Sequence, residues 1–180
     1  MTRVATLDRS ELTAQQQQIY DDIAGARGRV GGPFGIWLRQ PKLADAANKF
    51  GNLLRVEGKL DKRLFELMTI IVARHWSAQY EWFVHESAAR KAGISDDVVA
   101  AIRARRRPNF TRDDERLVYD VVTELNETRT VSEQSYEHVL SAFGLDLTIE
   151  FFTATGFYIM VAVMLNAFDV STPDDTKPLA

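Results

Sequence analysis

No cysteine occurs among the 180 residues, which excludes disulfides, thiolate metal sites and any thiol nucleophile or redox centre. Histidine is scarce as well: there are three, so a site built on imidazole has few places to sit. Nor is there an excess of positive charge, since 22 Lys and Arg stand against 25 Asp and Glu for a formal net charge of −3. Nucleic-acid binders usually present a basic face or stripe. The one basic run, Arg103, Arg105, Arg106 and Arg107 before Pro108, reads as a solvated helix end, so no nucleic-acid partner is expected. Residues 1–10 are polar and lack the apolar core and small-residue cleavage pattern of a signal peptide, which makes a cytoplasmic location the expectation.

Long hydrophobic runs are also missing, with one marginal exception at 151–168. Glu150, Thr153, Thr155, Gly156 and Asn166 lie within or beside it, whereas a spanning helix needs about 20 predominantly apolar residues. A buried central or interface helix is expected there, and no membrane partner. At 46% hydrophobic and 26% charged residues the composition is globular, and one domain over 1–180 is expected, with 1–10 and 171–180 as loosely ordered tails.

Helix signals recur while strand signals do not, so the fold class is all-α. Thr13 and Gln16 stand at capping-box spacing before a helix through Ile19, Tyr20 and Ile23 that should end by Gly25. The glycine-rich stretch 28–33 follows no strand and precedes no Lys-Ser/Thr pair, so it reads as a flexible turn rather than a phosphate cradle. Pro41 suits a first helical position, and Leu43, Ala46, Ala47, Phe50, Leu53 and Leu54 mark a buried face closed by Gly58. Asp61 caps the next helix, where Leu64, Leu67, Met68, Ile71, Val72 and His75 form one stripe and Thr69, Ile70 and Ala73 a second. A helix apolar nearly all round is central. Glu66 is its exception, on the second face. After a break near Trp76 and Ser77, a helix over 78–92 stops at Gly93, and Ser95 caps a short one with Val98, Val99 and Ile102. Thr111 with Asp114 resembles a capping box before Leu117, Val118, Val121, Val122 and Leu125. Ser132 opens a helix that Gly144 ends, and Thr148 or Asp146 caps the last.

Chemistry concentrates in 74–86, ARHWSAQYEWFVHE with its preceding alanine, which holds two of the three histidines. Glu81 and His85 stand four apart, share a helix face and can co-orient a bound group, and a carboxylate beside an imidazole tunes a proton carrier. An ordinary i, i+4 pair with aromatics packing a helix junction explains the same residues. His75, Glu81 and His85 have metal-ligand chemistry but not the His-Glu-x-x-His spacing, so no metal is expected. Ser77 and Ser87 lack a nucleophile elbow. His138 reads as exposed.

From Pro33 to Ser95, and above all over ARHWSAQYEWFVHESAARKAGIS, the chain resembles the carboxymuconolactone decarboxylase family, which also contains alkylhydroperoxidase D. Arg74, Tyr80-Glu81-Trp82, His85 and the Ala92-Gly93 helix end carry the resemblance. In the peroxidase branch a Glu precedes Cys-x-x-Cys and a His follows the second Cys by four. Laid on this chain, the glutamate falls on Glu66, the histidine on His85 and the two thiol positions on Ala78 and Glu81, so dithiol peroxidase chemistry is excluded. The resemblance implies a single-domain helical bundle of the cysteine-free branch, assembling as a trimer or hexamer. It also implies a lyase needing no cofactor that decarboxylates a small cyclic or unsaturated carboxylic acid in aromatic-compound catabolism. His85 would be the general acid/base, with Glu81 or Glu66 orienting it; Arg74 or Arg55 would bind carboxylate, and Tyr80, Trp82 and His75 would stand on the substrate side. A non-catalytic oligomeric ligand-binding or scaffold relative, or another cofactor-free reaction, remains the alternative.

Overall fold

The computed structural model of the chain describes residues 2–179. Among these no strand occurs, and the helices run α1 Ala14–Arg27, α2 Pro33–Trp37, α3 Pro41–Asn52, α4 Lys62–His75, α5 Gln79–Lys91, α6 Asp96–Arg103, α7 Asp113–Thr128 and α8 Glu133–Ala167. A π-helical turn, Leu53–Glu57, continues α3.

The all-round apolar helix is the centre of the fold. Asp61 accepts from the backbone N–H of Arg63 and Leu64, residues 64–73 are all buried, and α4 packs against α5, α7 and α8. A charged clamp ties α4 to α7: Arg63 donates to Glu115 Oε1 and to Asp114 Oδ2, each at 2.6 Å. Burial would raise the Asp114 carboxyl, but hydrogen bonds from Arg112 and Arg63 outweigh it and lower it to about 2. This clamp displaces the expected capping box, because Asp114 faces Arg63 and Arg112 while Arg112 stands at the N-cap of α7 with no side-chain cap bond.

Other expectations need correction. α1 passes through Gly25 and ends at Gly28, whose φ of 75° supplies the left-handed C-terminal residue. The α3 periodicity is present but rotated: Ala44, Ala47, Asn48 and Gly51 face the body, whereas Leu43 and Leu53 are half exposed in the isolated chain. Small side chains let this helix approach α1, which turns the large ones outward. Gly144 (φ 73°, ψ 168°) breaks α8, but Thr148 donates its hydroxyl back to the Gly144 carbonyl at 2.8 Å and caps nothing. By length and composition α8 could cross a membrane, and its Phe151, Ala154, Tyr158, Ala162 and Leu165 are buried in the helical body. His138 is exposed as expected.

Among the described residues both terminal segments make contacts with the helical body. Arg3 N–H donates to the Phe168 carbonyl at 2.9 Å, Leu179 is buried in the core, and its N–H donates to Gln79 Oε1 at 2.9 Å. A single leucine in a polar tail gives no periodicity to read.

Candidate active site

The break between α4 and α5 is made by Ser77, held at φ 50°, and by Ala78, whose N–H bonds the Ala73 carbonyl at 2.8 Å. α5 then packs on α4 so that His85 meets Glu66. The imidazole Nδ1 lies 2.7 Å from Glu66 Oε2, with Glu66 2% and His85 6% exposed. The His85 ring stands edge-to-face against Tyr158, centroids 5.1 Å apart. Burial works against ionisation of Glu66, but the hydrogen bond and charge of His85, with Arg55 and Lys62 behind them, hold its carboxyl below the ordinary value. An ionised carboxylate only accepts. The proton of that bond therefore sits on Nδ1, leaving Nε2 as the nitrogen open to proton exchange.

This pair forms part of the wall of a cavity of about 580 Å³. Arg29, Arg55 and Lys62 line it from exposed positions, and among the described residues none of the three has a hydrogen-bond or ion-pair partner. Phe34, Phe65, Val84 and Phe157 supply apolar wall, and Tyr80 and Tyr158 stand among them. Burial raises the Tyr80 phenol, with Arg29 acting weakly the other way. Glu81 also lines the cavity, is 2% exposed, and has no hydrogen-bond partner on either carboxyl oxygen. Burial alone pushes its carboxyl well above the ordinary value and so favours its neutral form. The site thus combines one carboxylate engaged with a histidine, one buried carboxyl whose neutral form burial favours, and three unpaired cations, a balance suited to a small organic anion.

Of the residues expected at the site, Glu66, His85, Glu81, Tyr80 and Arg55 converge on the cavity. Glu81 is not the partner of His85 despite the i, i+4 spacing; the contact is made across helices by Glu66. Arg74, His75 and Trp82 are not in the cavity wall. Arg74 lies eight residues beyond Glu66, about 12 Å along the axis, and donates to the Arg103 carbonyl at 2.6 Å and to Ser77 Oγ at 3.2 Å. His75 stands about half a turn round from Glu66, beside Trp76. Trp82, fully buried, donates its indole N–H to Glu86 Oε2 at 2.8 Å under the Arg103 guanidinium.

Arg29, Lys62 and Tyr158 were not foreseen. Lys62 precedes Glu66 by one helical turn, a spacing that could have been read. Arg29 arrives on the glycine-rich segment, whose backbone lies against Tyr80: a Cβ on Gly32 (φ 58°) would lie 2.5 Å from Tyr80 Cε1, and one on Gly31 2.9 Å from the Tyr80 hydroxyl. Glycine lets the backbone close over Tyr80 and brings Arg29 with it. Nothing in the apolar stretch 151–168 singled out Tyr158.

Residues 41–111 match the model of the Carboxymuconolactone decarboxylase family. That segment is a carboxymuconolactone decarboxylase family segment. It contributes Arg55, Lys62, Glu66, Tyr80, Glu81 and His85, while Arg29 and Tyr158 come from outside it. Among solved structures, the chain is similar to the alkylhydroperoxidase AhpD core of an uncharacterized peroxidase-related protein from Ralstonia eutropha JMP134, with TM-score 0.79, 15% identity and coverage of 97% of this chain and 93% of that one. It is also similar to an uncharacterized peroxidase-related protein from Silicibacter sp. TM1040, with TM-score 0.74, 19% identity and coverage of 94% and 90%. At these identities the likeness is one of fold. No curated protein matches the chain.

Proposed function

We propose that this carboxymuconolactone decarboxylase-like chain is a lyase acting without a cofactor on a small cyclic or unsaturated carboxylic acid, with His85 as general acid/base and Glu66 orienting it. The observation that carries the reading is the buried 2.7 Å Glu66–His85 pair in the wall of a cavity rimmed by Arg29, Arg55 and Lys62. The three unpaired cations suit anion binding of either kind, and the buried carboxylate–imidazole pair beside them is what favours catalysis over the binding-only alternative. In decarboxylation the bond from the ring carbon to the carboxylate breaks, carbon dioxide leaves, and the electron pair moves into a conjugated carbonyl as an enolate. The imidazolium then delivers its Nε2 proton to carbon and recovers one from water. Glu66 supports the positive ring in the meantime. Arg55, Lys62 and Arg29 hold the substrate anion, with arginine suited to a bidentate grip on a carboxylate.

Screening muconolactone-type acids for carbon dioxide release tests this directly. His85→Gln should lower turnover by about 10²–10⁴-fold with the helical circular dichroism unchanged. Arg55→Gln and Lys62→Gln should each raise KM by about three- to tenfold, salt-dependently, with little effect on melting. Normal turnover by His85→Gln refutes the acid/base role, and product formation without carbon dioxide assigns a different cofactor-free reaction.

The assembly expected from the sequence is likewise a proposal: a homo-oligomer, trimer or hexamer, and a cytoplasmic protein. Support comes from a groove whose walls include Phe50, Leu53, Leu145 and Ile149, all substantially exposed in the isolated chain, an apolar surface of the kind subunit contacts cover.

A further inference from the structure

The two carboxyl oxygens of Glu81 are the only buried side-chain nitrogen or oxygen atoms among the described residues left without a hydrogen-bond partner. Leaving such a group unsatisfied is costly, and an apolar residue of the same shape would be cheaper. Its place is specific: Glu81 lies one helical turn before His85 on α5 and lines the same cavity. The surrounding charges decide what it can do there. With Arg29, Arg55 and Lys62 drawing in an anion, an ionised Glu81 would repel that ligand, whereas a protonated one carries an O–H with nothing yet to donate to.

Building on the reading of the cavity as a reactive site for an organic acid, we propose that the Glu81 carboxyl donates a hydrogen bond to a carbonyl oxygen of the ligand, the oxygen on which negative charge gathers as the enolate forms. In the ligand-free chain both carboxyl oxygens are sealed from solvent. Donation to a ligand requires the side chain to rotate among its staggered wells toward the cavity that Glu81 lines. The proton stays on Glu81 throughout, so His85 moves the proton exchanged with carbon and Glu81 stabilises the oxygen, two roles divided between two neighbouring groups. A neutral buried acid that donates to a developing oxyanion is an efficient stabiliser because it need not be reoriented by solvent as charge develops. The ligand class is thereby narrowed to acids that also bear a conjugated carbonyl.

Infrared difference spectroscopy and calorimetry with two stable probes, 4-oxocyclohexanecarboxylate and cyclohexanecarboxylate, test this. The ligand-free protein at neutral pH should show a protonated-carboxyl stretch that is absent from Glu81→Gln, and the keto acid, but not its deoxo analogue, should shift it. The keto acid should bind about tenfold more tightly than the analogue, a preference largely kept by Glu81→Gln, whose amide still donates, and lost in Glu81→Leu. A purely structural role for Glu81 would move neither the probe preference nor the band. Absence of the band in the wild type, a band unmoved by the keto acid, or an unchanged preference in Glu81→Leu refutes the role of Glu81 and leaves the reading of His85 intact. Failure of both probes to bind refutes the organic-acid site and the Glu81 role with it.

Discussion

Replacing His85 with Leu removes the hydrogen bond to the Glu66 carboxylate while keeping the α5 position apolar and filled. Glu66 then retains burial, the largest influence on it, opposed only by Arg55 and Lys62 from exposed positions. A hydrogen bond to a charged group contributes about 1.5–3 kcal/mol, and breaking a buried pair from one side costs about 3–5 kcal/mol. Protonation gives Glu66 a retreat, so a loss of about 2–3 kcal/mol near pH 7 is expected. The pH dependence follows from the sign of each shift. With its folded value depressed, Glu66 in the wild type contributes stability present above the unfolded carboxylate pKa and lost as pH falls through the folded value. With burial then outweighing Arg55 and Lys62 and raising it in His85→Leu, Glu66 contributes stability present below the unfolded value and lost as pH rises through the folded one. Urea unfolding from about pH 4 to about pH 7 should therefore show a gap that widens toward neutrality. His85→Gln is the reference, since its amide can still donate to Glu66 and both variants lack the imidazole, so their difference isolates Glu66. Parallel profiles, or a gap that narrows as pH rises, would show that Glu66 is not held ionised by His85.

Arg63→Met should cost about 3 kcal/mol in thermal unfolding, because it strips the buried Glu115 of its 2.6 Å partner; a loss below about 1 kcal/mol would mean that the α4–α7 clamp is incidental. The same clamp predicts an acid limb. Asp114, lowered from 3.8 to about 2, adds stability above its unfolded value that fades as pH falls toward 2, about 1 kcal/mol once its partial exposure is discounted. Arg63→Met should flatten that limb. For the assembly, sedimentation should find an oligomer that Leu53→Asp with Ile149→Asp converts to monomer, and a monomeric wild type at working concentration refutes the proposed subunit contact.

Much of the frame was legible because it depends on near-neighbour chemistry. Asp61, the two apolar faces of α4 and the helix stops at Gly58 and Gly93 announce themselves within a turn or two, and Glu66 stands out as the one carboxylate in an otherwise apolar helix centre. The pairing of His85 was not legible in the same way. Spacing along α5 puts Glu81 and His85 on one face, but the direction in which each carboxylate points is set by what α4 and α8 bring opposite. Arg74 was attractive by its nearness in the chain to the junction, a distance that ignores the rise along the helix. Arg29 and Tyr158 come from segments far from Glu66 in sequence, one on a glycine loop and one within an apolar run, and neither carries a local sign of where it will be delivered. The outward rotation of Leu43 and Leu53 has a related cause, since periodicity fixes an apolar stripe but not whether its cover is the chain itself.

The π-helical turn at Leu53–Glu57 carries Arg55 and lies in the wall of the cavity. Such a turn is an α-helix with one residue too many, so losing a single codon there would restore the regular pitch and swing the following side chains by about 100°. Glu150 holds the chain just beyond, accepting from the N–H of Lys59 and Leu60 at 3.0 and 2.8 Å, and would prevent the body of α4 from following that rotation. A one-residue deletion in this stretch would thus redirect the anion-facing arginine while sparing the helical core. A change of chain length at this one point would therefore alter what faces the cavity without altering what holds the helices together.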